Sequence, residues 1–135
     1  MQKRKFVLAA ATAGALAAGL LGYGVINAQQ PGFTRTVLQT QDSSSGRSIV
    51  QARAEFIPGG AAGKHTHPGE EIGYILEGTL QLEVDGKPPV VLKAGDAFFV
   101  PAGTVHDGKN IGTGPAKVLA TYVVEKGKPV ATPAK

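Results

Sequence analysis

The chain has 135 residues and a formal net charge of +4, and it contains neither cysteine nor tryptophan. Lys3, Arg4 and Lys5 carry three of the four net positive charges, so the rest of the chain is almost balanced. It shows no basic stripe interleaved with aromatic side chains, which gives no support to nucleic-acid binding. The absence of cysteine excludes disulfide bonds as a source of stability.

Residues 1–28 have the order of a secretory signal peptide. A basic start precedes an apolar run from Phe6 to Ile26, and Ala28 stands before a polar stretch. We predict export through the general secretory route with cleavage after Ala28. The mature protein would then be periplasmic or secreted, with no stable membrane association. A retained membrane anchor is the alternative, because the apolar run is just long enough to span a bilayer.

The mature chain is predicted to be one small domain with an arm and a tail. Residues 29–47 form an N-terminal arm, with a short strand candidate at Thr34–Leu38 and a polar loop at Gln41–Gly46. The alternative for this arm is disorder. Residues 126–135 are rich in Lys, Pro and Ala without periodicity, so we expect a mobile tail.

Residues 48–125 are dominated by short strands. Apolar residues alternate with polar ones from Val50 to Phe56 and again from Leu80 to Val84, which is the period of a strand with one buried face. Ile72–Leu76 is predicted to be a largely buried strand, Asp85-Gly86 a hairpin turn, and Lys117–Val124 the last strand. No stretch shows a helical period over three turns, so the fold class is all-β, a sandwich or barrel.

The aromatic residues are interpreted as core residues, any of which could also contact a ligand; they are Tyr74, Phe98, Phe99, Phe56 and Tyr122. No Arg or Lys is clearly directed inwards, which favours a neutral or apolar substrate over a sugar phosphate.

Several glycines and one asparagine are interpreted as structural. Gly59, Gly78, Gly95 and Gly103 stand where a turn needs a positive φ or where a side chain would block close approach. Asn110 is expected to hydrogen-bond the loop that follows His106.

The three histidines of the chain and one glutamate form a set that predicts a metal site. His65 and His67 are two apart, so an extended segment would direct both rings to the same side. Glu71 can return an oxygen ligand after a turn, and His106 would complete the set from a second hairpin. Such a set suits Fe, Mn, Ni, Cu or Zn as one divalent transition metal. Glu70 is the alternative carboxylate, although the spacing favours Glu71.

The sequence resembles the cupin superfamily in two motifs. The first runs from Gly59 to Gly78 as G-x5-H-x-H-x3-E-x6-G, and the second from Gly95 to Asn110 as G-x5-P-x4-H-x3-N. This resemblance implies one small double-stranded β-helix, or jelly-roll barrel, over residues 48–125. It also implies a metal held inside by the residues that match the motif ligands, namely His65, His67, Glu71 and His106.

The resemblance does not select a reaction, because cupins include many activities. The leading hypothesis is a metal-dependent, dioxygenase-like enzyme that acts on a small organic molecule; quercetinase-like dioxygenases use this ligand type. The alternatives are a non-redox isomerase, lyase or decarboxylase, and a non-catalytic module that binds a metal or ligand. With all histidines assigned to the metal, the base would be Glu71, Tyr74 or a metal-bound hydroxide. A homodimer is a further partner candidate.

Overall fold

The computed structural model describes residues 30–135, so the predicted signal peptide and its cleavage site at Ala28 lie outside the described residues. This part of the chain forms ten strands: β1 Phe33–Asp42, β2 Arg47–Phe56, β3 His65–Thr66, β4 Gly69–Glu77, β5 Thr79–Val84, β6 Val90–Lys93, β7 Ala97–Val100, β8 His106–Asn110, β9 Ala116–Glu125 and β10 Thr132–Pro133. None of the described residues belongs to a helix that is long and apolar enough to cross a membrane.

The strands form two five-stranded sheets. The first sheet has the order β1-β2-β9-β4-β7 and the second the order β10-β3-β8-β5-β6, and the neighbouring strands are antiparallel. Apolar side chains of both sheets, such as Phe56 and Leu80, meet in one core cluster. The predicted all-β jelly-roll architecture is therefore confirmed.

The period of two determines which side chains form the core. On β9, Ala116, Val118, Ala120, Tyr122 and Val124 are buried and the residues between them are only partly buried. Fully burying one side chain of the size of Val contributes about 1.5–3 kcal/mol.

The glycines of both motifs have the structural roles that the sequence predicts. Gly59, Gly78, Gly95 and Gly103 all have positive φ, between 69° and 97°. Gly78 also lies so close to the Pro115 carbonyl oxygen that a β-carbon could not fit there. These positions hold the turns that carry the chain between the sheets.

Asn110 is fully buried and bonds the loop after β8, as predicted. Its Nδ2 donates to the carbonyl oxygens of Gly114 (2.8 Å) and Phe56 (3.2 Å), and its Oδ1 accepts from the N–H of Gly112 (2.9 Å).

The arm prediction needs correction, because β1 is a full strand of the barrel. It pairs with β2 from Phe33 to Asp42 and so extends well beyond the predicted segment Thr34–Leu38. Gln41 and Asp42, which were predicted to lie in the polar loop at Gln41–Gly46, belong to the end of β1 and pair with β2. The described part of this segment is ordered as a strand, and the barrel begins before residue 48.

The prediction of a mobile tail over 126–135 is also corrected. Val130 is buried in the core, and β10 pairs with β3 through Thr132↔Thr66 and Pro133↔His65. A strand of two residues is too short to show a period in the sequence, which is why composition alone suggested mobility.

The prediction that Ile72–Leu76 is largely buried is wrong. Ile72, Tyr74 and Leu76 are about half exposed on the outer face of β4, and Phe99 on β7 is 56% exposed. Both faces of β4 carry apolar residues, so the sequence showed no alternation that would separate them. Phe56 and Tyr122 are buried as predicted, and Phe98 is partly buried against the core.

The structure describes a single chain, so the homodimer stays a prediction.

Candidate metal centre

The three histidines meet inside the barrel. His65 on β3 and His106 on β8 are paired neighbours in the second sheet, and His67 lies between β3 and β4. One ring nitrogen from each residue lies within 4.8 Å of those of the other two, and all three side chains are buried. The structure therefore brings together the three predicted nitrogen ligands.

A backbone hydrogen bond fixes the second motif against the first. The N–H of Gly103, which follows β7, donates to the carbonyl oxygen of His67 at 2.9 Å. This contact holds the loop that leads to His106 beside the His67 backbone.

Each imidazole has its tautomer fixed by the backbone. The Nδ1 atoms lie at hydrogen-bonding distance from carbonyl oxygens: His65 from Gly63 at 2.6 Å, His67 from Val130 at 2.6 Å, and His106 from Thr104 at 2.9 Å. A carbonyl oxygen can only accept, so each Nδ1 must carry and donate the proton. In the neutral rings the Nε2 atoms therefore hold lone pairs, which is the form that binds a metal.

Glu71 approaches this cluster from the first sheet. Its Oε2 lies 3.0 Å from Nε2 of His106 and 3.1 Å from Nε2 of His67. Nε2 of His67 makes no hydrogen bond within residues 30–135. A carboxylate that faces neutral nitrogen lone pairs is an unfavourable meeting of acceptors unless a cation or additional protons lie between them. Three nitrogens and one carboxylate oxygen are the donors that divalent transition metals prefer, so these residues fit such an ion.

Glu70 lies away from this cluster. It is half-buried, and its carboxylate pairs with Arg47 at 3.4 Å. Because adjacent residues of β4 point to opposite faces, Glu71 points inward and Glu70 does not. The geometry therefore favours Glu71 over Glu70 as the carboxylate of the site, as the motif spacing does.

The buried environment changes the protonation of two members of the cluster. Burial alone would raise the pKa of Glu71, but contacts with the imidazoles of His106 and His67 outweigh burial and hold its pKa well below the usual range. Burial is the largest cause that lowers the pKa of His65 to about 4, and electrostatic interactions with the neighbouring imidazoles and with Arg35 lower it further. At neutral pH Glu71 is therefore ionised and His65 is neutral, as a metal site requires.

Tyr122 on β9 lies beside the cluster, with its ring centroid 4.6 Å from that of His67. Burial and the charge of Glu71 raise the pKa of its phenol above the ordinary value. The phenol therefore stays protonated and can act as a hydrogen-bond donor inside the barrel.

The cluster borders a cavity of about 30 Å³ between the sheets. Apolar side chains form most of its wall, and the polar residues that line it are Arg35, His65, Glu71, His106 and Tyr122. Among the described residues of this wall, Glu71 is the only carboxylate.

Arg35 is the residue that sequence reasoning missed. The prediction that no Arg or Lys points inwards is wrong, because Arg35 is only 3% exposed and lines the cavity. The signal was available: Arg35 follows Phe33 by two residues, so both share one face of a strand that starts at Phe33. The predicted strand began one residue later and was too short to show this relationship.

The fold and the cluster together define a class of protein: a jelly-roll barrel with three histidines and a glutamate at its inner cavity. The family model described as the cupin domain matches residues 52–129, more than half of the chain. The chain therefore belongs to the cupin family, as its motifs indicated.

Comparisons with known proteins agree with this assignment. A protein from Thermotoga maritima, described as a predicted oxalate decarboxylase, is 32% identical; the match covers 68% of this chain and 80% of that one, with a TM-score of 0.59. An oxalate oxidase in complex with glycolate is 24% identical over 79% of this chain and 58% of that one, with a TM-score of 0.64, which is a likeness in fold.

Plant germin-like proteins are similar in sequence. Germin-like protein subfamily 2 member 2 of Arabidopsis thaliana is 38% identical over 80 residues, which is 56% of this chain. The match spans only 36% of the length of that protein.

Proposed function

We propose that the chain is an exported, metal-dependent enzyme that acts on a small organic molecule, with dioxygenase-like chemistry as the leading reaction class. One divalent transition metal would be held by His65, His67, Glu71 and His106. The observation that carries this proposal is the meeting of three imidazoles and one carboxylate inside the barrel. Because each Nδ1 lies against a carbonyl oxygen, the Nε2 lone pairs and the Glu71 carboxylate form the set of donors that a divalent transition metal prefers.

The protein residues divide into positioning and reacting groups. The carbonyl oxygens of Gly63, Val130 and Thr104 orient the three rings and keep a proton on each Nδ1. A bound metal would supply Lewis-acid polarisation of a substrate oxygen and, for a redox-active ion, electron transfer. Apolar walls around the cavity restrict water, which strengthens electrostatic interactions inside it.

Glu71 is the candidate general base. It lines the cavity as an ionised carboxylate, and both of its imidazole contacts are made by Oε2, so the other carboxylate oxygen is the one that would accept a substrate proton. Tyr74, which the sequence offered as an alternative base, is half exposed on the outer face of β4 and is removed from consideration. Tyr122 is a protonated donor on the cavity wall and could hydrogen-bond a developing negative charge.

A decarboxylase is the second candidate function. The 32% identity to a predicted oxalate decarboxylase supports it, because that protein is matched over most of its length. A non-catalytic module that binds a metal or ligand is the remaining hypothesis if neither dioxygenase nor decarboxylase activity is found.

Oxygen consumption and carbon dioxide release separate these functions. The mature protein would be loaded anaerobically with Fe(II) or Mn(II) and offered small carboxylates and phenols. We expect substrate-dependent oxygen consumption. Release of carbon dioxide without oxygen consumption would select the decarboxylase, and neither signal with any substrate would select the binding module. Glu70→Gln is the matched control for Glu71→Gln, because Glu70 lies on the opposite face of the same strand.

Export rests on the N-terminal sequence pattern. Mass spectrometry of protein recovered from the periplasm or the medium should find Gln29 as the first residue. Peptides from residues 1–5 in a membrane fraction would contradict cleavage and support the anchor.

A further inference from the structure

Arg35 is a buried cation beside the histidine cluster. It lies on β1, opposite Ala54 of β2, and points into the barrel with Phe33. It lines the cavity that His65, Glu71 and His106 also line. Its charge is close enough to affect the pKa of His65 and that of Tyr122.

Two of the three guanidinium nitrogens of Arg35, Nε and Nη1, lack a hydrogen-bond partner among the described residues. Its Cζ lies 5.2 Å from the ring centroid of Phe33 and 5.7 Å from that of Tyr122, so aromatic rings lie close to it. Nε and Nη1 are buried without a hydrogen-bond partner anywhere in residues 30–135, and Arg35 forms no ion pair with these residues. The carboxylate of Glu71 is already in contact with His67 and His106.

An unpartnered buried charge is costly, and native proteins normally satisfy such groups. Aromatic rings can contact the faces of a guanidinium, but they do not accept its in-plane N–H groups as an anionic oxygen does. The geometry therefore leaves a place for an acceptor that the described residues do not supply.

A second pocket connects this position to the surface. It has a volume of about 250 Å³, and its wall contains Gln30, Phe33, Arg35, Ala62, Lys64, His65 and Pro133. Four of these residues also line the inner cavity, namely Phe33, Arg35, Ala62 and His65. Lys64 is exposed at this pocket and adds a second positive charge. An anion that enters from the surface would thus meet Lys64 and then Arg35 and His65.

We propose that Arg35 binds the carboxylate group of a small substrate and so determines that the substrate is an anion. This inference rests on the proposed function and specifies its substrate class: a small carboxylate whose remaining atoms extend from Arg35 towards the histidine cluster. The size of the inner cavity, about 30 Å³, limits the part that enters to a few non-hydrogen atoms. Arg35 and a bound divalent cation would together exceed the single negative charge of Glu71, which further favours an anion. The sequence-based expectation of a neutral or apolar substrate is replaced.

Binding of glycolate and its uncharged amide, glycolamide, tests the role of Arg35. The two probes have nearly the same shape and differ in charge. Titration calorimetry would be carried out on the metal-free mature protein and on the Mn(II)-loaded protein. Wild-type protein should bind glycolate at least about tenfold more tightly than glycolamide, since a charge-assisted hydrogen bond in a buried site has at least this effect. Arg35→Met should remove that preference, and Arg35→Lys should retain part of it.

Arg53→Met is the matched control. Arg53 lies on the neighbouring strand β2, but its side chain is on the outer face and pairs with Glu55. The Arg53→Met substitution therefore removes one positive charge from outside the barrel. This variant should keep the full preference for glycolate. Thermal melting of metal-free protein checks the fold: Arg35→Met should melt no lower than wild type, because it removes an uncompensated buried charge.

Four results would overturn the assignment of Arg35 as the carboxylate-binding residue. A full glycolate preference in a folded Arg35→Met protein would overturn it, as would a wild-type protein that does not distinguish the two probes. Loss of folding in Arg35→Met with an unchanged glycolate affinity in Arg35→Lys would assign Arg35 a structural role and overturn it too. Tighter binding of inorganic phosphate than of glycolate would contradict the carboxylate class.

The inference and the proposed function can fail separately. Metal binding without any Arg35-dependent preference would overturn the inference and leave the metal-dependent enzyme standing. A protein that takes up no metal, but prefers glycolate through Arg35 in the metal-free titration, would support the inference and overturn the metal-dependent function.

Discussion

The Nδ1 atom of His67 lies 2.6 Å from the carbonyl oxygen of Val130, 63 residues further along the chain. Val130 is buried, and the strand that follows it, β10, pairs with the strand that carries His65. The C-terminal segment therefore orients one of the proposed metal ligands and closes the barrel beside the cluster.

Deleting residues 129–135 should weaken metal binding by about 10–100-fold, the usual effect of removing a group that orients a metal-binding histidine. Competition with a metal chelator would measure the change in affinity. Val130→Ala is the control, because it removes the buried side chain and keeps the carbonyl oxygen. Equal losses in both variants would show that packing, and not the hydrogen bond to His67, accounts for the effect.

Replacing His67 by Ala should lower metal occupancy and thermal stability together. A metal that binds only the folded protein at a concentration of 100 times its Kd stabilises the fold by about 2.7 kcal/mol. The variant should therefore melt at the same temperature with and without added metal, whereas wild type should melt higher with metal. Thr66→Ala, at the adjacent residue, is the control. Unchanged metal content in His67→Ala would remove this residue from the site.

Glu71→Gln should affect turnover more than it affects the fold. Glutamine keeps the size and a weak oxygen ligand but lacks the charge and the basicity of the carboxylate. Much of the metal should remain bound, while activity should fall by roughly 10²-fold or more, the usual effect of losing a general base. The ratio of rate to metal content measures this separation. Turnover at the wild-type rate would assign the proton transfer to another group.

The metal-free protein should lose stability as the pH falls from 6.5 towards 4. Burial lowers the pKa of His65 from 6.5 to about 4, so in this range the unfolded chain binds a proton that the folded protein does not. Stability then decreases by at most about 1.4 kcal/mol per pH unit from this residue. The low pKa of Glu71 adds a further loss below pH 4.5, where its unfolded form becomes protonated. Denaturant titrations at several pH values measure both losses of stability. The His65→Gln variant should show a smaller loss between pH 6.5 and 4.

The sequence allowed prediction of the parts of the site that lie close together in the chain. His65, His67 and Glu71 fall within seven residues, so the strand period and the motif spacing were enough to assign them to one site. Their partner His106 was identified because its motif is equally local. The turn glycines were predictable for the same reason, since a positive φ is a property of one residue.

The remaining features depend on contacts between distant segments. Arg35 reaches the cluster because β1 joins the sheet beside β2. The sequence indicates that Arg35 shares a strand face with Phe33, but it does not indicate where that strand pairs. The carbonyl oxygen of Val130 belongs to the backbone, so the identity of the side chain at this position does not indicate the contact with His67. Tyr74 and Phe99 looked like core residues because an apolar side chain on an outer face has the same sequence signal as one in the core.

Anomalous X-ray diffraction from crystals of the metal-loaded mature protein tests the central claim most directly. The account predicts one metal ion per chain, bound by Nε2 of His65, His67 and His106 and by a carboxylate oxygen of Glu71, with each Nδ1 still donating to its carbonyl oxygen. An anomalous peak away from these four side chains, or coordination through Nδ1, would contradict the account.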